Sequence, residues 1–319
     1  MPKLYHSHSG PHFFTLTVTT FPNSLIMSQT FSRPPPEVPG VLLSSPRPHV
    51  LLVTLNRPKQ LNALRRHMHF ALAELWSWYD AEPGLRCAVI TGAGRAFCAG
   101  ADLKEWHDKN NEHELTQGVS GGEMWADDGF GGLSNRRGKK PVIAAVNGLC
   151  LGGGFEMALN VDMVIAAETA KFGLPEVTRG VVAIAGALPR IVRTVGRQRA
   201  SEMALLGRTY TATQLEAWGL VNKVVESTGS AGKPAQEEVN AGVVEEALRW
   251  AAEMAGNSPD AVIVSREGLL GGWEAEDPRA STQRVDGGIY RAMDGGENMK
   301  EGVLSFVEKR KAVWRDSKL

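Results

Sequence analysis

Residues 141–159, PVIAAVNGLCLGGGFEMAL, join a short apolar run to three consecutive glycines and then to a helix-like segment that carries Glu156. The apolar run is typical of a buried strand. Residues 87–106, CAVITGAGRAFCAGADLKEW, repeat the order of strand, tight turn and predicted helix, with the helix beginning near Ala101. Each junction leaves backbone NH groups free at a helix N-terminus, where the helix dipole favours negative charge. The two turns together can therefore hold an anionic oxygen, although glycines there would also permit close packing of a helix.

The wider chain alternates between strand-like and helix-like segments. Four short apolar runs end in turn residues: 49–56, 86–92, 141–148 and 162–168. Helix-like segments lie between them, and the first has a candidate cap at Asn62 and a stop at Pro83. This alternation predicts an α/β fold in which helices cover a largely parallel sheet.

The chain is expected to divide into three segments. We predict a disordered N-terminal extension at residues 1–46, a core domain at residues 47–226 and a helical C-terminal region at residues 227–319. Six prolines between residues 34 and 48 form a stiff lead-in to the core. A polar linker that contains Gly and Ser, residues 227–237, opens the C-terminal region.

Composition excludes several classes of protein. With 43% hydrophobic and 22% charged residues, the chain is typical of a folded globular protein. Its 35 basic and 35 acidic residues give a net charge of zero, so there is no broad electrostatic footprint for nucleic acid or an anionic membrane. The three cysteines are odd in number and sparse, which favours a reducing compartment over a disulfide framework. The histidines form no metal-ligand cluster, and we expect no metal.

The two ends of the chain carry different signals. Residues 4–32 have no Lys, Arg, Asp or Glu, but prolines and many polar residues interrupt them, so we do not expect a membrane span. The last three residues, Ser317, Lys318 and Leu319, match the tripeptide that the peroxisomal import receptor reads. We therefore expect a peroxisomal location, with the import receptor as a partner.

Glu156 and Glu176 are the candidate acid–base residues. Glu156 lies directly after the glycine-rich turn, and a further apolar strand precedes KFGLPE, which delivers Glu176. Either carboxylate alone could be structural, Glu156 as a partner of the helix dipole and Glu176 as a solvated loop acid. Two carboxylates beside a site for an anionic oxygen suit proton removal and delivery next to a carbonyl group. The GVSGG sequence at residues 118–122 follows a polar segment rather than a buried strand, which argues against a nucleophile elbow.

These blocks resemble the crotonase superfamily of enoyl-CoA hydratases and isomerases, over about residues 50–315. Besides the two glycine-rich turns, the resemblance includes NRPKQLNAL at residues 56–64, KFGLPEVTRG at residues 171–180 and FVEKRKAVW at residues 306–314. It implies a crotonase-like spiral of ββα units, with a C-terminal helical trimerisation region and trimers that often pair into hexamers.

The resemblance also implies a chemistry. An acyl-CoA thioester would bind with its carbonyl oxygen held by the backbone NH groups of Ala101 and Gly153. Glu156 would act as the base toward water, and Glu176 would exchange the proton at the α-carbon. Water then adds to a trans-2-enoyl-CoA, or leaves a 3-hydroxyacyl-CoA, through an enolate-like state. CoA is part of the substrate, so no separate cofactor is expected.

The same resemblance places the CoA contacts on two segments. The matching positions are Lys59, Ala63, Asp102, Leu103 and Lys104. These residues would otherwise be ordinary surface or helix-packing positions.

Two segments beside the site are expected to shape the acyl pocket. Residues 183–187 read AIAGA where many hydratases have Pro-Gly-Ala-Gly-Gly, and we expect the bulkier Ile184 to narrow the region beside the acyl group. The glycine-rich segment 118–132 is predicted to form a mobile pocket wall, or an ordinary long loop.

The presence of both glutamates favours an enoyl-CoA hydratase in peroxisomal acyl-CoA metabolism. The alternative reactions are double-bond isomerisation, dehydration of an unusual hydroxyacyl-CoA and thioester hydrolysis. The alternatives outside catalysis are an RNA-binding crotonase-fold protein and a silent scaffold. The net charge of zero argues against an RNA-binding protein. The intact glutamates and glycine-rich turns argue against a silent scaffold.

Overall fold

Two β-sheets form the centre of the fold. The computed structural model describes residues 14–15, 30–102, 105, 127–226, 236–274 and 276–319. Its strands are β1 (Phe14–Thr15), β2 (Thr30–Phe31), β3 (Val41–Arg47), β4 (Val50–Leu55), β5 (Cys87–Gly92), β6 (Ala96–Cys98), β7 (Val142–Val146), β8 (Leu149–Leu151), β9 (Met163–Ala167), β10 (Lys171–Gly173), β11 (Thr209–Thr211) and β12 (Lys223–Val225). The larger sheet has the order β12-β9-β7-β5-β4-β3, and the smaller one β11-β10-β8-β6.

The strand directions confirm the predicted fold class. In the larger sheet every neighbouring pair is parallel except β3 and β4, which are antiparallel. In the smaller sheet β8 pairs in parallel with both β6 and β10, while β11 is antiparallel to β10. The carboxyl ends of β6, β8 and β10 therefore lie at one edge, where loops that follow parallel strands meet.

Helices surround the sheets. They are α1 (Arg66–Ala81), α2 (Gly153–Ala158), α3 (Ala187–Val195), α4 (Arg197–Leu206), α5 (Ala212–Ala217), α6 (Gln236–Ala255), α7 (Pro259–Trp273), α8 (Pro278–Val285), α9 (Arg291–Met293) and α10 (Glu297–Val307). Short 3-10 turns lie at Pro58–Gln60, Phe130–Gly132 and Pro175–Arg179, and a π turn lies at Asp286–Tyr290. Within the described ranges, no helix is both long and apolar enough to cross a bilayer.

Both faces of the larger sheet are buried, which explains its unbroken apolar runs. On one face the core includes Leu72, Leu75 and Trp76 of α1. On the other face the core includes Val243 and Ala251 of α6. Part of the C-terminal region thus belongs to the central core. The predicted domain boundary at residue 226 stays a prediction.

The predicted N-terminal extension is wrong for residues 41–46, because they form most of β3. This strand pairs with β4, and a register irregularity lies between Ser44 and Arg47. Pro46 falls in that irregularity at the outer edge of the sheet, where a residue without an NH group is tolerated. The prolines predict a stiff lead-in, but one of them, Pro46, lies within the edge strand β3.

Asn62 does not cap the first helix. The helix begins at Arg66, and Asn62 is buried in a left-handed conformation with φ 57°. Its amide donates to the carbonyls of Ala93 and Ala96 at 2.9 and 2.7 Å, and its oxygen accepts from the NH of Arg57 at 2.8 Å. The two hydrogen bonds that its amide donates therefore tie this loop to Ala93 and Ala96, which follow β5, and none of the three bonds reaches the helix.

Candidate active site

The two glycine-rich turns are in contact. Gly100, which follows β6, has φ +97°, and Gly152, which follows β8, has φ +55°. A Cβ atom on Gly100 would lie 3.2 Å from the carbonyl oxygen of Leu151 and 3.3 Å from the nitrogen of Gly153. Only glycine combines this left-handed φ with such a close approach. The backbone of Gly100, directly before Ala101, therefore lies against the start of α2.

In the described ranges, main-chain hydrogen bonding leaves both predicted oxyanion donors available. The carbonyl of Gly100 and the NH of Asp102 are engaged with Leu64 at 3.0 and 2.9 Å. By contrast, neither the Ala101 NH nor the Gly153 NH donates to a main-chain carbonyl within the described part of the chain. Free donors at a helix N-terminus suit a negatively charged oxygen. This geometry supports the predicted oxyanion role of Ala101 and Gly153.

Phe130 fixes the start of α2 from the other side. A Cβ atom on Gly153 would lie 2.5 Å from two atoms of the Phe130 ring, so the ring packs directly on the glycine backbone. The NH of Gly131 donates to Nδ1 of the buried His69 at 3.0 Å. Burial, with a smaller effect of His67, lowers the pKa of His69 to about 4, so this nitrogen stays available as an acceptor. The sequence alone does not reveal this support, because no local pattern links these segments.

Glu156 is buried, with only 3% of its surface exposed. Its Oε1 atom accepts hydrogen bonds from the NH groups of Ala185 and Ala187 at 3.1 and 3.3 Å. Burial raises the pKa of Glu156 to about 7; the negative charge of Glu176 adds to this shift, whereas the two amides and Arg190 oppose it. A carboxyl group with this pKa can give or take a proton near neutrality.

Glu176 lies over the second turn. A Cβ atom on Gly152 would lie 3.2 Å from its Oε1 atom, and burial raises its pKa. Its Oε2 atom is buried and has no hydrogen-bond partner in the described ranges. An unpaired buried carboxylate oxygen is costly, and a functional role is a common explanation. Glu176 lies against Gly152, whose carbonyl accepts from the NH of Glu156 at 2.9 Å, so the second turn contacts both predicted acids.

Replacing Glu156 by Gln is expected to stabilise the protein at alkaline pH. The folded-state pKa of about 7 exceeds the ordinary value of 4.5, so the carboxyl group destabilises the fold increasingly as pH rises from 4.5 through 7. The shift corresponds to about 3 kcal/mol. We expect Glu156→Gln to raise the free energy of unfolding by about 1–3 kcal/mol at pH 8 and to leave it almost unchanged at pH 4. Urea titrations of the variant and wild type at both pH values measure this. An equal effect at both values would contradict it, and Glu168→Gln, at an exposed position, is the matched control.

Three of the predicted CoA-contact residues lie in the described part of the chain. Lys59 is exposed in a 3-10 turn, and Ala63 is half-buried. Arg57 donates to the carbonyl of Ala63 and forms an ion pair with Asp102 at 3.1 Å. This arrangement brings the two segments together, and their contacts with CoA remain predictions.

Asp102 is committed to ion pairs. Arg57 and Arg65 approach the same carboxylate oxygen at 3.1 and 3.4 Å. Burial by itself would raise the pKa of Asp102, but hydrogen bonds from the two arginines outweigh it and lower the pKa below its ordinary value. The side chain therefore holds this edge of the site in place. Predicted contacts of Leu103 and Lys104 lie outside the described residues.

The segment at residues 183–187 acts on Glu156 through its backbone. Ile184 is 68% exposed, whereas Ala185 and Ala187 are buried and donate their NH groups to the carboxylate. The expected narrowing of the acyl region by Ile184 stays a prediction. Most of the predicted pocket wall, residues 118–126, lies outside the described residues. No group of three or more metal-binding side chains occurs in the ranges that the structure covers.

Comparison with known proteins agrees with this geometry. Residues 47–317 match the family model for enoyl-CoA hydratase/isomerase. A mevalonyl-coenzyme A hydratase of Beauveria bassiana is 64% identical over 292 residues, which cover 91% of this chain and 100% of the relative. A mevalonyl-coenzyme A hydratase of Aspergillus fumigatus is 51% identical over 285 residues, which cover 89% of this chain and 98% of the relative.

Solved structures give the same result. An enoyl-CoA hydratase of Mycobacterium tuberculosis H37Rv matches with a TM-score of 0.74 and 30% identity, over 88% of this chain and 100% of that chain. An enoyl-CoA hydratase of Bacillus anthracis matches with a TM-score of 0.73 and 30% identity, over 87% and 100% of the two chains. The predicted likeness to crotonases is therefore confirmed, and the chain belongs to the enoyl-CoA hydratase/isomerase family.

Proposed function

We propose that this protein is a CoA-thioester hydratase that interconverts mevalonyl-CoA and its dehydrated 2-enoyl-CoA product. The observation that carries the reaction class is the position of Glu156 and Glu176 beside two turns with free NH groups. The substrate rests on the two relatives that are named mevalonyl-CoA hydratases. Mevalonyl-CoA is a 3-hydroxyacyl thioester with a methyl group on C3 and a second hydroxyl on C5. Loss of the C3 hydroxyl and a C2 proton as water gives the 2-enoyl thioester.

The dehydration starts at the thioester carbonyl. Its oxygen accepts hydrogen bonds from the Ala101 and Gly153 NH groups, which stabilise the negative charge that develops there. The Glu176 carboxylate takes the C2 proton, and the electron pair moves onto the carbonyl oxygen. Protonated Glu156 then gives its proton to the C3 hydroxyl, which leaves as water while the C2–C3 double bond forms. Hydration is the reverse of these steps.

The proposed exchange requires one proton on the pair of carboxyl groups. Dehydration begins with the proton on Glu156 and ends with it on Glu176, so neither a doubly protonated nor a doubly ionised pair is active. Both pKa values are raised, and the charge of Glu176 raises that of Glu156. Such a coupled pair titrates in two steps that belong to both groups. The alkaline limb of the rate profile then reports loss of the shared proton.

The acyl preference can be tested with a panel of thioesters. We expect kcat/KM for dehydration of mevalonyl-CoA to exceed that for 3-hydroxybutyryl-CoA by about tenfold or more, since a site fitted to the larger acyl group gains from its additional contacts. Mass spectrometry of the products gives both rates. A preference for 3-hydroxybutyryl-CoA would contradict the substrate assignment. Release of free CoA, or a shifted double bond without loss of water, would contradict the reaction class.

We also propose that the protein is imported into peroxisomes through the tripeptide at residues 317–319. In a chain with an N-terminal fluorescent fusion, Leu319→Glu is expected to change punctate fluorescence to cytosolic fluorescence, because the receptor reads this ending. Val313→Ala changes an exposed apolar residue nearby and serves as the control. Punctate fluorescence of the Leu319 variant, together with a peroxisomal marker, would contradict the proposal.

A homotrimer, alone or paired into a hexamer, is the proposed assembly. Exposed apolar side chains on α10 support it: Val303, Phe306 and Val307 are 63%, 85% and 69% exposed. Apolar patches of this kind on a folded chain commonly mark protein contacts. Light scattering after size-exclusion chromatography measures the mass, and a stable monomer would contradict this proposal.

A further inference from the structure

Ser134 lies between two segments that support the site, one at Phe130 and one at Ala185. It is fully buried, and its hydroxyl donates to the carbonyl of Ala185 at 2.6 Å. The same oxygen accepts from the NH of Phe130 at 2.8 Å. A hydroxyl can act as donor and acceptor at once, so one side chain links residues that are far apart in sequence.

Each partner of Ser134 touches a component of the site. The Ala185 NH donates to Glu156 at 3.1 Å, so Ser134 holds the carbonyl of the residue whose NH binds the acid. The Phe130 ring packs on Gly153, the predicted oxyanion donor. The hydroxyl of Ser134 therefore connects the backbone that binds the acid to the ring that supports the start of α2.

The surrounding packing leaves little freedom for this link. Gly129 has φ +76°, and a Cβ atom on it would lie 2.4 Å from the Ser134 oxygen. A Cβ atom on Gly186 would lie 2.9 Å from the Ser134 carbonyl oxygen. The guanidinium of Arg190 additionally donates to the Gly186 carbonyl at 3.0 Å and to Asn160 at 2.6 Å. Backbone shifts around Ser134 would therefore pass to its neighbours rather than be absorbed locally.

We propose that Ser134 is a positioning residue that aligns the Ala185 NH with Glu156 and so sets the proton affinity of that acid during hydration and dehydration. This inference rests on the proposed function for its kinetic consequence. Its buried hydroxyl bonds to the backbone of Phe130 and Ala185, so the role is indirect.

Loss of the hydroxyl has a definite electrostatic consequence. In Ser134→Ala the Ala185 carbonyl and the Phe130 NH lose a buried partner, which favours a shift of both segments. The charged groups that act on Glu156 are Glu176, which raises its pKa, and Arg190, which lowers it. The hydrogen bonds from the NH groups of Ala185 and Ala187 also lower the pKa of Glu156. A weaker hydrogen bond from the Ala185 NH therefore raises this pKa further.

The test compares pH profiles of kcat and kcat/KM for Ser134→Ala and wild type. We expect kcat to fall by about tenfold to a hundredfold with a nearly unchanged KM, because a small displacement of a catalytic group has effects of this size. We expect the alkaline limb of kcat/KM to move to higher pH. Ser134→Cys has a thiol, which is a weaker donor and acceptor than a hydroxyl. Its kcat and alkaline limb are expected to lie between those of wild type and Ser134→Ala. It replaces Ser134→Ala in the test if that variant does not fold.

Ser305→Ala is the matched control, because Ser305 is also buried and donates to a main-chain carbonyl, that of Gly302 at 3.0 Å. It is expected to keep the wild-type profile. An unmoved alkaline limb in both Ser134 variants would overturn the inference even if kcat fell, since a purely structural defect lowers activity without changing the proton affinity.

An NMR titration separates this inference from the proposed function. The side-chain carboxyl carbon of Glu156, assigned through Glu156→Gln, is expected to titrate at higher pH in Ser134→Ala than in wild type. If wild type proves inactive on every thioester, the proposed function fails, while this shift still supports the role of Ser134. Identical titrations would overturn the role whatever the activity.

Discussion

Replacing Glu176 by Gln is expected to lower the rate of mevalonyl-CoA dehydration by about 10²–10⁴-fold, the usual contribution of a positioned general base. The amide keeps the shape of the carboxyl group but cannot take the C2 proton. The Oε2 atom of Glu176 has no hydrogen-bond partner in the described ranges, so the change breaks no contact of that atom there. We therefore expect no loss of stability and little change in the affinity for a CoA thioester.

Glu156→Gln is expected to lower dehydration by a similar factor, because the neutral amide cannot protonate the leaving hydroxyl. Initial rates, with calorimetric binding of a non-reactive acyl-CoA, separate a loss of chemistry from a loss of affinity. Glu168→Gln, at an exposed carboxylate, is the control. Near wild-type activity in the variant of either acid would remove that residue from its proposed role.

Gly100→Ala is expected to lower kcat by about 10²–10³-fold, which is the typical effect of removing an oxyanion donor. The new methyl group would lie 3.2 Å from the Leu151 oxygen and 3.3 Å from the Gly153 nitrogen, and φ +97° is unfavourable for alanine. Since the rest of each turn is held by its sheet, the turns are expected to separate. The proposed convergence of the Ala101 and Gly153 NH groups on one oxygen would then be lost.

Gly219→Ala provides a matched control for backbone strain. Gly219 also has a left-handed φ, +80°, but no atom lies within 4 Å of its Cβ position. The control is expected to lose some stability and to keep its kcat. If Gly100→Ala retained wild-type kcat, the contact between the turns would not be needed for the reaction.

Motifs in the sequence predict the residues at the centre of the candidate site but not the residues that support them. The two turns and both glutamates were predicted because each carries a local signal: a strand, glycines and an acid in a fixed order. Parallel pairing of β8 with β6 and β10 then brings them to one edge of the smaller sheet. The fold class followed from the alternation of segments, as the sheet topology confirms.

Residues that hold the site in place could not be predicted in the same way. Ser134 bonds to Ala185, which is 51 residues away, and His69 bonds to Gly131, which is 62 residues away. Such long-range hydrogen bonds leave no periodic pattern in the sequence. The helix cap predicted at Asn62 is wrong for a related reason. An asparagine before an apolar stretch is typical of a helix cap. Only the fold reveals that the Asn62 amide bonds to the segment after β5.

Glu176 is proposed to take the C2 proton, and Glu156 to protonate the leaving hydroxyl. Proton exchange in D₂O tests these separate roles most directly. A 3-hydroxyacyl-CoA substrate, which has no C2–C3 double bond, is incubated with Glu156→Gln or Glu176→Gln. Deuterium at C2 is measured by mass spectrometry. Glu156→Gln is expected to incorporate deuterium without losing water, because Glu176 still removes the C2 proton and the NH groups still hold the enolate oxygen. Glu176→Gln is expected to incorporate none. Exchange that persists in Glu176→Gln and disappears in Glu156→Gln would contradict the assignment.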